Sequence, residues 1–300
     1  MQSSDVSCGV VPFENSTHGS VLDTLNFLID REEAFPDIIV CGETYLNIEH
    51  CLLGYANSQA SKVDTNSGTS TPTIDRPNPQ TPRSRPLTNL DHVKHIYSHP
   101  QAFGQCKMFL SNYLKGAKHE DVSSTSKAAQ IVTGDVSKTT AAIASELAAD
   151  VHGLDILARG IQDRGDNQTR FFVIRKATSA FTDQNSFPKL IGLADSSGFE
   201  KWKTLVAFHI NHHRSGALVH ALQVYAIHGL NLTSINSRPS HVHPWHYVFL
   251  VEFEGRREED GQGQVNEALK ELGERSQGWK WLGSWIDRLP IREEESSTKP

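Results

Sequence analysis

The sequence predicts an α/β protein in two parts: a domain of alternating strands and helices, then a smaller ferredoxin-like unit. Three observations carry this. Strand-type and helix-type apolar patterns alternate from residue 6 to residue 174. Beyond residue 200 the order becomes strand, helix, strand, strand, helix, strand, which is the βαββαβ unit. All five tryptophans (Trp202, Trp245, Trp279, Trp281 and Trp285) fall in that second part.

Val6 to Val11 reads as a buried strand, with "PFENSTHGS" following as a loop. From Gly19 a helix pattern begins, with Val21, Leu22, Leu25 and Leu28 on one side. "DIIVCGETYLNIEHCLL" gives one or two strands. Residues 56–90, dominated by Ser, Thr, Pro, Asn and Gln, read as a disordered insertion and solvated spacer. "HVKHIY" is a strand, and Pro100 stands at the first turn of a helix that continues through "AFGQCKMFLSNYL". "STSKAAQIV" and "TTAAIASELAADVHG" are predicted as two more helices, the second ending at Gly153. "LDILARGI" and "TRFFVI" close the first domain as strands.

In the second part "KWKTLVAFHI" is a strand. "SGALVHALQVYAIHG" is a helix with Leu218, Ala221, Leu222 and Tyr225 on one face and Gly229 at its end. "LNLTSINS" and "WHYVFLVEFEG" are strands joined through "RPSHVHP". "QVNEALKELGER" is a helix burying Val265, Ala268, Leu269 and Leu272, and "GWKWLGSWI" is the last strand. The domain limits are set at 1–185 and 200–290, with 291–300 a disordered tail.

The 300-residue chain is 37% hydrophobic and 21% charged, as in soluble globular proteins. Its net charge of -6 argues against a nucleic-acid partner. No apolar run reaches membrane-spanning length, and the start lacks a secretion-signal pattern. Cys8, Cys41, Cys51 and Cys106 have no metal-type spacing and read as reduced thiols of a cytosolic protein.

Two short stretches offer chemistry. Asn15, Ser16 and Thr17 precede one expected helix, and Ser123 to Ser126 precede another. Free N–H groups at such helix mouths attract anions. Equally, these side chains serve as ordinary N-caps. Thr169 and Arg170 stand at the threshold of the apolar run Phe172 to Ile174, and an arginine there suits a bidentate carboxylate. His209, His212 and His213, and His241, His243 and His246, cluster without a cysteine or carboxylate at recognisable spacing. They read as solvent-facing or interface residues, and no metal or cofactor is implied.

"GVVPFENSTHGSV", "YSHPQAFGQC", "SSTSKAA", "AAIASELAADVHGLDILARGIQDRGDNQTRFFVI", "SGALVHAL" and "SRP" resemble, in order, the prephenate dehydratase family. The resemblance implies a two-lobed, periplasmic-binding-protein-like α/β catalytic domain followed by an ACT regulatory domain. It implies conversion of prephenate to phenylpyruvate without a cofactor, feedback regulation by L-phenylalanine, and a homodimer or homotetramer. A use of arogenate instead, or a non-catalytic phenylalanine-responsive protein, stays open. Carried over by position, Thr169 is the catalytic residue, and Arg170 and Phe171 complete its motif. Asn15, Ser16, Ser98, Gln105, Ser124 and Thr125 line the substrate pocket. Gly216, Ala217, Leu218 and Val219, with Ser237, Arg238 and Pro239, form the phenylalanine site. The acidic residue usual before "SRP" is Asn236 here. The family's opening strand and glycine-rich "GPEGTYS"-like segment have no counterpart ahead of "ENS", so an unpaired sheet edge and a reduced pocket wall are expected.

Overall fold

The computed structural model describes residues 8–56, 81–177 and 201–289. In chain order its first elements are β1 (Cys8–Asn15), β2 (Gly19–Ser20), α1 (Leu22–Ile29), β3 (Ile38–Asn47) and β4 (Cys51–Gly54). Next come β5 (His95–Ser98), α2 (Pro100–Gln105), α3 (Lys107–Tyr113), β6 (Lys118–Asp121) and α4 (Thr125–Thr133). Then follow β7 (Thr140–Ala144), α5 (Glu146–His152), β8 (Asp155–Ala158) and β9 (Gln168–Lys176). The last are β10 (Trp202–His209), α6 (Ala217–Ile227), β11 (Leu232–Pro239), β12 (Tyr247–Glu254), α7 (Gln264–Arg275) and β13 (Gly278–Ile286). The chain divides into two compact units, one of residues 1–46 and 168–300, the other of residues 47–167.

The first unit is built on one eight-stranded sheet, ordered β11-β12-β10-β13-β3-β9-β1-β2. Its β11-β12-β10-β13 portion is antiparallel throughout, the strand order of a βαββαβ unit. Helix α7 buries Val265, Ala268, Leu269 and Leu272, the four positions its periodicity predicts. Helix α6 buries Ala217, Ala221, Val224 and Tyr225, so its inner face is turned from the one expected, with Leu218 and Leu222 at the margin of the core. At the other side of the sheet β9 pairs antiparallel with β1, placing Asn15 opposite Thr169. Phe13 and Phe172 stack with ring centres 4.0 Å apart, and Trp285 meets Phe172 edge-on at 5.1 Å. Such aromatic pairs add about 0.5–1.5 kcal/mol beyond their buried area. Strand β1 runs on to Asn15, past the loop expected at Pro12, and Val10 is exposed.

Strand β13 meets β3 in parallel at a single pair, Gly283 with Val40. Gly283 has φ +144°, and a Cβ there would lie 2.0 Å from the Val40 carbonyl oxygen. Only glycine fits this join.

The second unit holds a five-stranded sheet, ordered β6-β5-β7-β4-β8. Residues 140–144, expected as helix, form its central strand β7. Local alanine preference yields to burial here. Ala141 and Ile143 pack on one side with Leu52 and Phe109; Ala142 and Ala144 face Ala128 and Ala129 of α4, where only small side chains let the helix approach. The Asp135 carboxylate accepts the N–H groups of Ser137, Thr139 and Thr140, each at 2.9 Å, and so launches the strand. The single helix expected after Pro100 is broken at Cys106, because Asp163 caps a new helix by accepting from Lys107 N–H (3.1 Å) and Met108 N–H (2.9 Å). "KHED" forms β6, an exposed, charged edge strand with no apolar pattern to announce it. Of the segment expected as an insertion, residues 57–80 lie outside the described residues. Leu87 N–H bonds the Leu157 carbonyl and Leu90 is buried, so residues 81–90 belong to the folded unit. The expected domain boundary at 185–200 and the tail 291–300 also lie outside the described residues.

Gly283→Ala is expected to lower folding stability by about 2–4 kcal/mol, from backbone strain and a direct clash. Urea unfolding followed by tryptophan fluorescence checks this, since Trp281 and Trp285 flank the join.

Candidate active site

The β9 strand carries the Thr169–Arg170–Phe171 motif, and strand alternation sends its side chains to opposite faces. Thr169 and Phe171 are half-buried, whereas Arg170 is 8% exposed.

Asn15 holds Thr169. Its Nδ2 donates to Thr169 Oγ1 at 3.1 Å and to the Gln168 carbonyl at 3.2 Å. Its Oδ1 accepts the backbone N–H groups of Thr17 and His18, both at 3.0 Å, and lies 3.1 Å from His18 Nδ1. These partners fix which end of the amide is oxygen. Ser16 N–H donates to the Gln168 carbonyl and Gln168 N–H donates to Ser16 Oγ, each at 2.9 Å. Asn15, Ser16 and Thr17 therefore belong to a β1–β2 turn, and not to a helix mouth as expected; α1 starts later, behind Val21. Since Thr169 Oγ1 accepts from Asn15, its own hydrogen is left to donate elsewhere.

Arg170 faces inward. Its Nε donates to Glu43 Oε2 at 2.8 Å, and its Nη2 reaches both Glu43 and, at 2.7 Å, Glu252. Lys203 Nζ joins the cluster, 2.8 Å from Asp287 and 3.5 Å from Glu43. Glu43, Glu252 and Lys203 are all at most 3% exposed. Thr233 Oγ1 donates to the other oxygen of Glu252 at 2.7 Å, and Arg288 N–H donates to Glu43 at 2.7 Å. Burial alone would push the Arg170 pKa down, but the Glu252 and Glu43 carboxylates carry it above the ordinary guanidinium value. Burial, with Glu43 beside it, keeps the Tyr45 hydroxyl protonated. The expectation that Arg170 offers its fork to a bound carboxylate is thus corrected: two internal carboxylates already occupy it.

The other pocket residues expected from the sequence lie in the second unit. Ser98 is fully buried and its Oγ donates to the Ile143 carbonyl at 2.8 Å, so it stitches β5 to β7 instead of facing a ligand. Gln105 Oε1 lies 2.6 Å from Nε2 of His50, a residue the sequence did not single out. Burial pushes the His50 imidazole below its ordinary pKa, against a smaller upward pull from Gln105. Ser124 is the N-cap of α4, its Oγ accepting Lys127 N–H at 3.1 Å, and Thr125 is the first helical residue.

Gly216 takes φ +77° ahead of α6, and Ala217, Leu218 and Val219 form the first helical turn, with Val219 66% exposed. Ser237, Arg238 and Pro239 end the edge strand β11. They dock on the α1 side of the same unit. Arg238 Nε donates to Asn26 Oδ1 (3.1 Å), Arg31 Nε to the Pro239 carbonyl (3.0 Å), and Ser20 Oγ to Asn236 Oδ1 (2.7 Å). The histidines pack on one another, His246 lying 4.5 Å from His212 and 5.1 Å from His243 between ring centres. Among the described residues no group of three or more His, Cys, Asp or Glu is placed to hold a metal ion, and no helix is long and apolar enough to cross a membrane.

These features define an α/β protein with two sheets, a βαββαβ portion and a threonine held on a strand rim. The family model for prephenate dehydratase matches residues 1–73 and 80–179, more than half of the chain. The chain belongs to the prephenate dehydratase family. It is 35% identical over 94% of its length to a bifunctional chorismate mutase/prephenate dehydratase of Aquifex aeolicus, of which it covers 61%. It is 31% identical over 88% of its length to a prephenate dehydratase of Methanocaldococcus jannaschii, covering 75% of that protein. A crystal structure of prephenate dehydratase in complex with L-Phe from Arthrobacter aurescens superposes with a TM-score of 0.67 at 25% identity, over 95% of this chain and 77% of that one. The chain thus spans less than two thirds of the length of the bifunctional relatives it matches.

Two outcomes follow from this geometry. Arg170→Met is expected to cost about 3–5 kcal/mol, because it leaves buried carboxylates short of a cation; a surface arginine would cost under about 0.5 kcal/mol. Chemical denaturation of both proteins decides. For His50, the unfolded chain takes up a proton near pH 6.5 while the folded imidazole resists it. Stability is therefore expected to fall as pH drops below about 6.5, by at most about 1.4 kcal/mol per pH unit, and His50→Gln should remove that component from the unfolding midpoints between pH 5 and 7.5.

Proposed function

We propose that this chain converts prephenate to phenylpyruvate, carbon dioxide and water, and that L-phenylalanine regulates it. The observation carrying the reading is the Asn15–Thr169 hydrogen bond: the amide donates to the threonine oxygen, so the threonine's own hydrogen can be donated to a ligand. In the reaction the ring carboxylate leaves as CO2, its bonding electrons aromatise the ring, and the C–O bond opposite breaks. The departing oxygen takes up one proton to become water. Aromatisation drives the change, so the protein needs only to orient the dianion and stabilise charge growing on the leaving oxygen. Thr169 is assigned that hydrogen bond, and Asn15 and Ser16 the holding of the turn. Phe171, on the same strand face, is assigned contact with the substrate ring.

Family membership supports this reading, as does the name of the Methanocaldococcus jannaschii relative. The Arthrobacter aurescens complex supports phenylalanine as effector. In this reading the βαββαβ portion is an ACT domain, with Gly216 to Val219 and Ser237 to Pro239 as its ligand-binding segments. Asn236, hydrogen-bonded to Ser20, stands where an acidic residue would take the effector's ammonium group.

Phenylpyruvate formation from prephenate is expected for the wild type and is expected to drop about 100-fold or more in Thr169→Ala, whereas Thr169→Ser keeps the hydroxyl and much of the rate. L-phenylalanine should change the wild-type rate. A folded wild-type chain with no turnover would reject the reading.

A further inference from the structure

Arg170 follows Thr169 directly and its guanidinium bridges two strands that come from distant parts of the sequence. Glu43 lies on β3. Glu252 lies on β12, within the βαββαβ portion. Each carboxylate is further fixed: Glu252 accepts from Thr233 of β11, and Glu43 accepts from Arg288 N–H beyond β13. Lys203 of β10 completes the cluster. The ring centres of Phe13 and Phe172 lie 5.3 and 4.9 Å from the guanidinium carbon, so two aromatic rings also pack against it.

From this geometry we infer that Glu252 is a positioning residue for Thr169, acting through Arg170, so that the βαββαβ portion sets the placement of the threonine hydroxyl. The rate part of this inference rests on the dehydratase reading above. Thr169 and Arg170 share one peptide plane, and a guanidinium held at both ends fixes that plane against the sheet. A displacement near 1 Å at a reacting group costs up to about 100-fold in rate. The cluster has three carboxylates against two cations, so Glu252→Gln leaves Arg170 and Lys203 balanced by Glu43 and Asp287. That substitution is nearly isosteric and the fold should tolerate it.

The test has two readouts. In methyl-threonine NMR of the full chain, the Thr169 signal is expected to move in Glu252→Gln, while Thr133, in the other unit, stays in place. In steady-state kinetics, kcat is expected to fall between about 10- and 100-fold with KM within about twofold, since Arg170 touches no substrate. Combined with Arg170→Lys, the double variant should be no slower than the slower single variant. An unmoved Thr169 signal with unchanged kcat overturns the inference. So does a change confined to KM, which would put Arg170 on the substrate, or strictly additive losses. A moved Thr169 signal in a chain whose wild type has no turnover would keep the structural link and reject the dehydratase reading instead.

Discussion

Burying one arginine directly after Thr169 is the constraint around which the larger unit is arranged. A lone guanidinium in a sheet interior would cost several kcal/mol, so the fold must bring carboxylates to it. It draws them from β3 and β12, and those carboxylates in turn need Lys203, Thr233 and the Arg288 N–H. Strands far apart in the sequence are thereby committed to one place. Phe13, Phe172 and Trp285 lie in an apolar cluster beside them with Leu25, Leu28, Val40 and Leu282, but such burial is not directional. The ion pairs add direction, because each joins named atoms on different strands.

That arrangement also sets what each face of β9 does. On one face the strand delivers a hydroxyl that accepts from Asn15; on the other it delivers a cation spent on internal partners. The motif therefore splits within three residues, with Thr169 and Phe171 half-buried on one face and Arg170 tied into the interior on the other. Sequence resemblance groups the three as a single motif, and only the alternation of the strand separates them.

Legibility followed the strength of local pattern. Helix α7 was readable to the residue because Val265, Ala268, Leu269 and Leu272 keep helical spacing beside charged neighbours. The βαββαβ order was readable because each apolar run is long and bounded by Gly or Pro. Strand β7 was not, since "TTAAIA" favours helix locally and becomes strand only through burial on both faces. The break at Cys106 depends on Asp163, 57 residues later, and no local signal could report it. The family motif singles out Thr169 and Asn15, but their mutual bond and the inward turn of Arg170 were not legible. Both are matters of which face a side chain takes, and no residue count reveals that when polar groups lie on both sides.

The β1–β2 turn has a property its surroundings hide. Thr17, His18 and Gly19 are exposed, which elsewhere in a protein would mark positions free to vary. Yet the backbone of Thr17 and His18 saturates the oxygen of Asn15, and that is what points the opposite end of the amide at Thr169. The turn works as the fixed seat of a lever whose tip is the threonine oxygen. Grafting, tagging or lengthening this loop would thus disturb the Asn15–Thr169 pair as surely as a change in the core, although the altered residues are exposed.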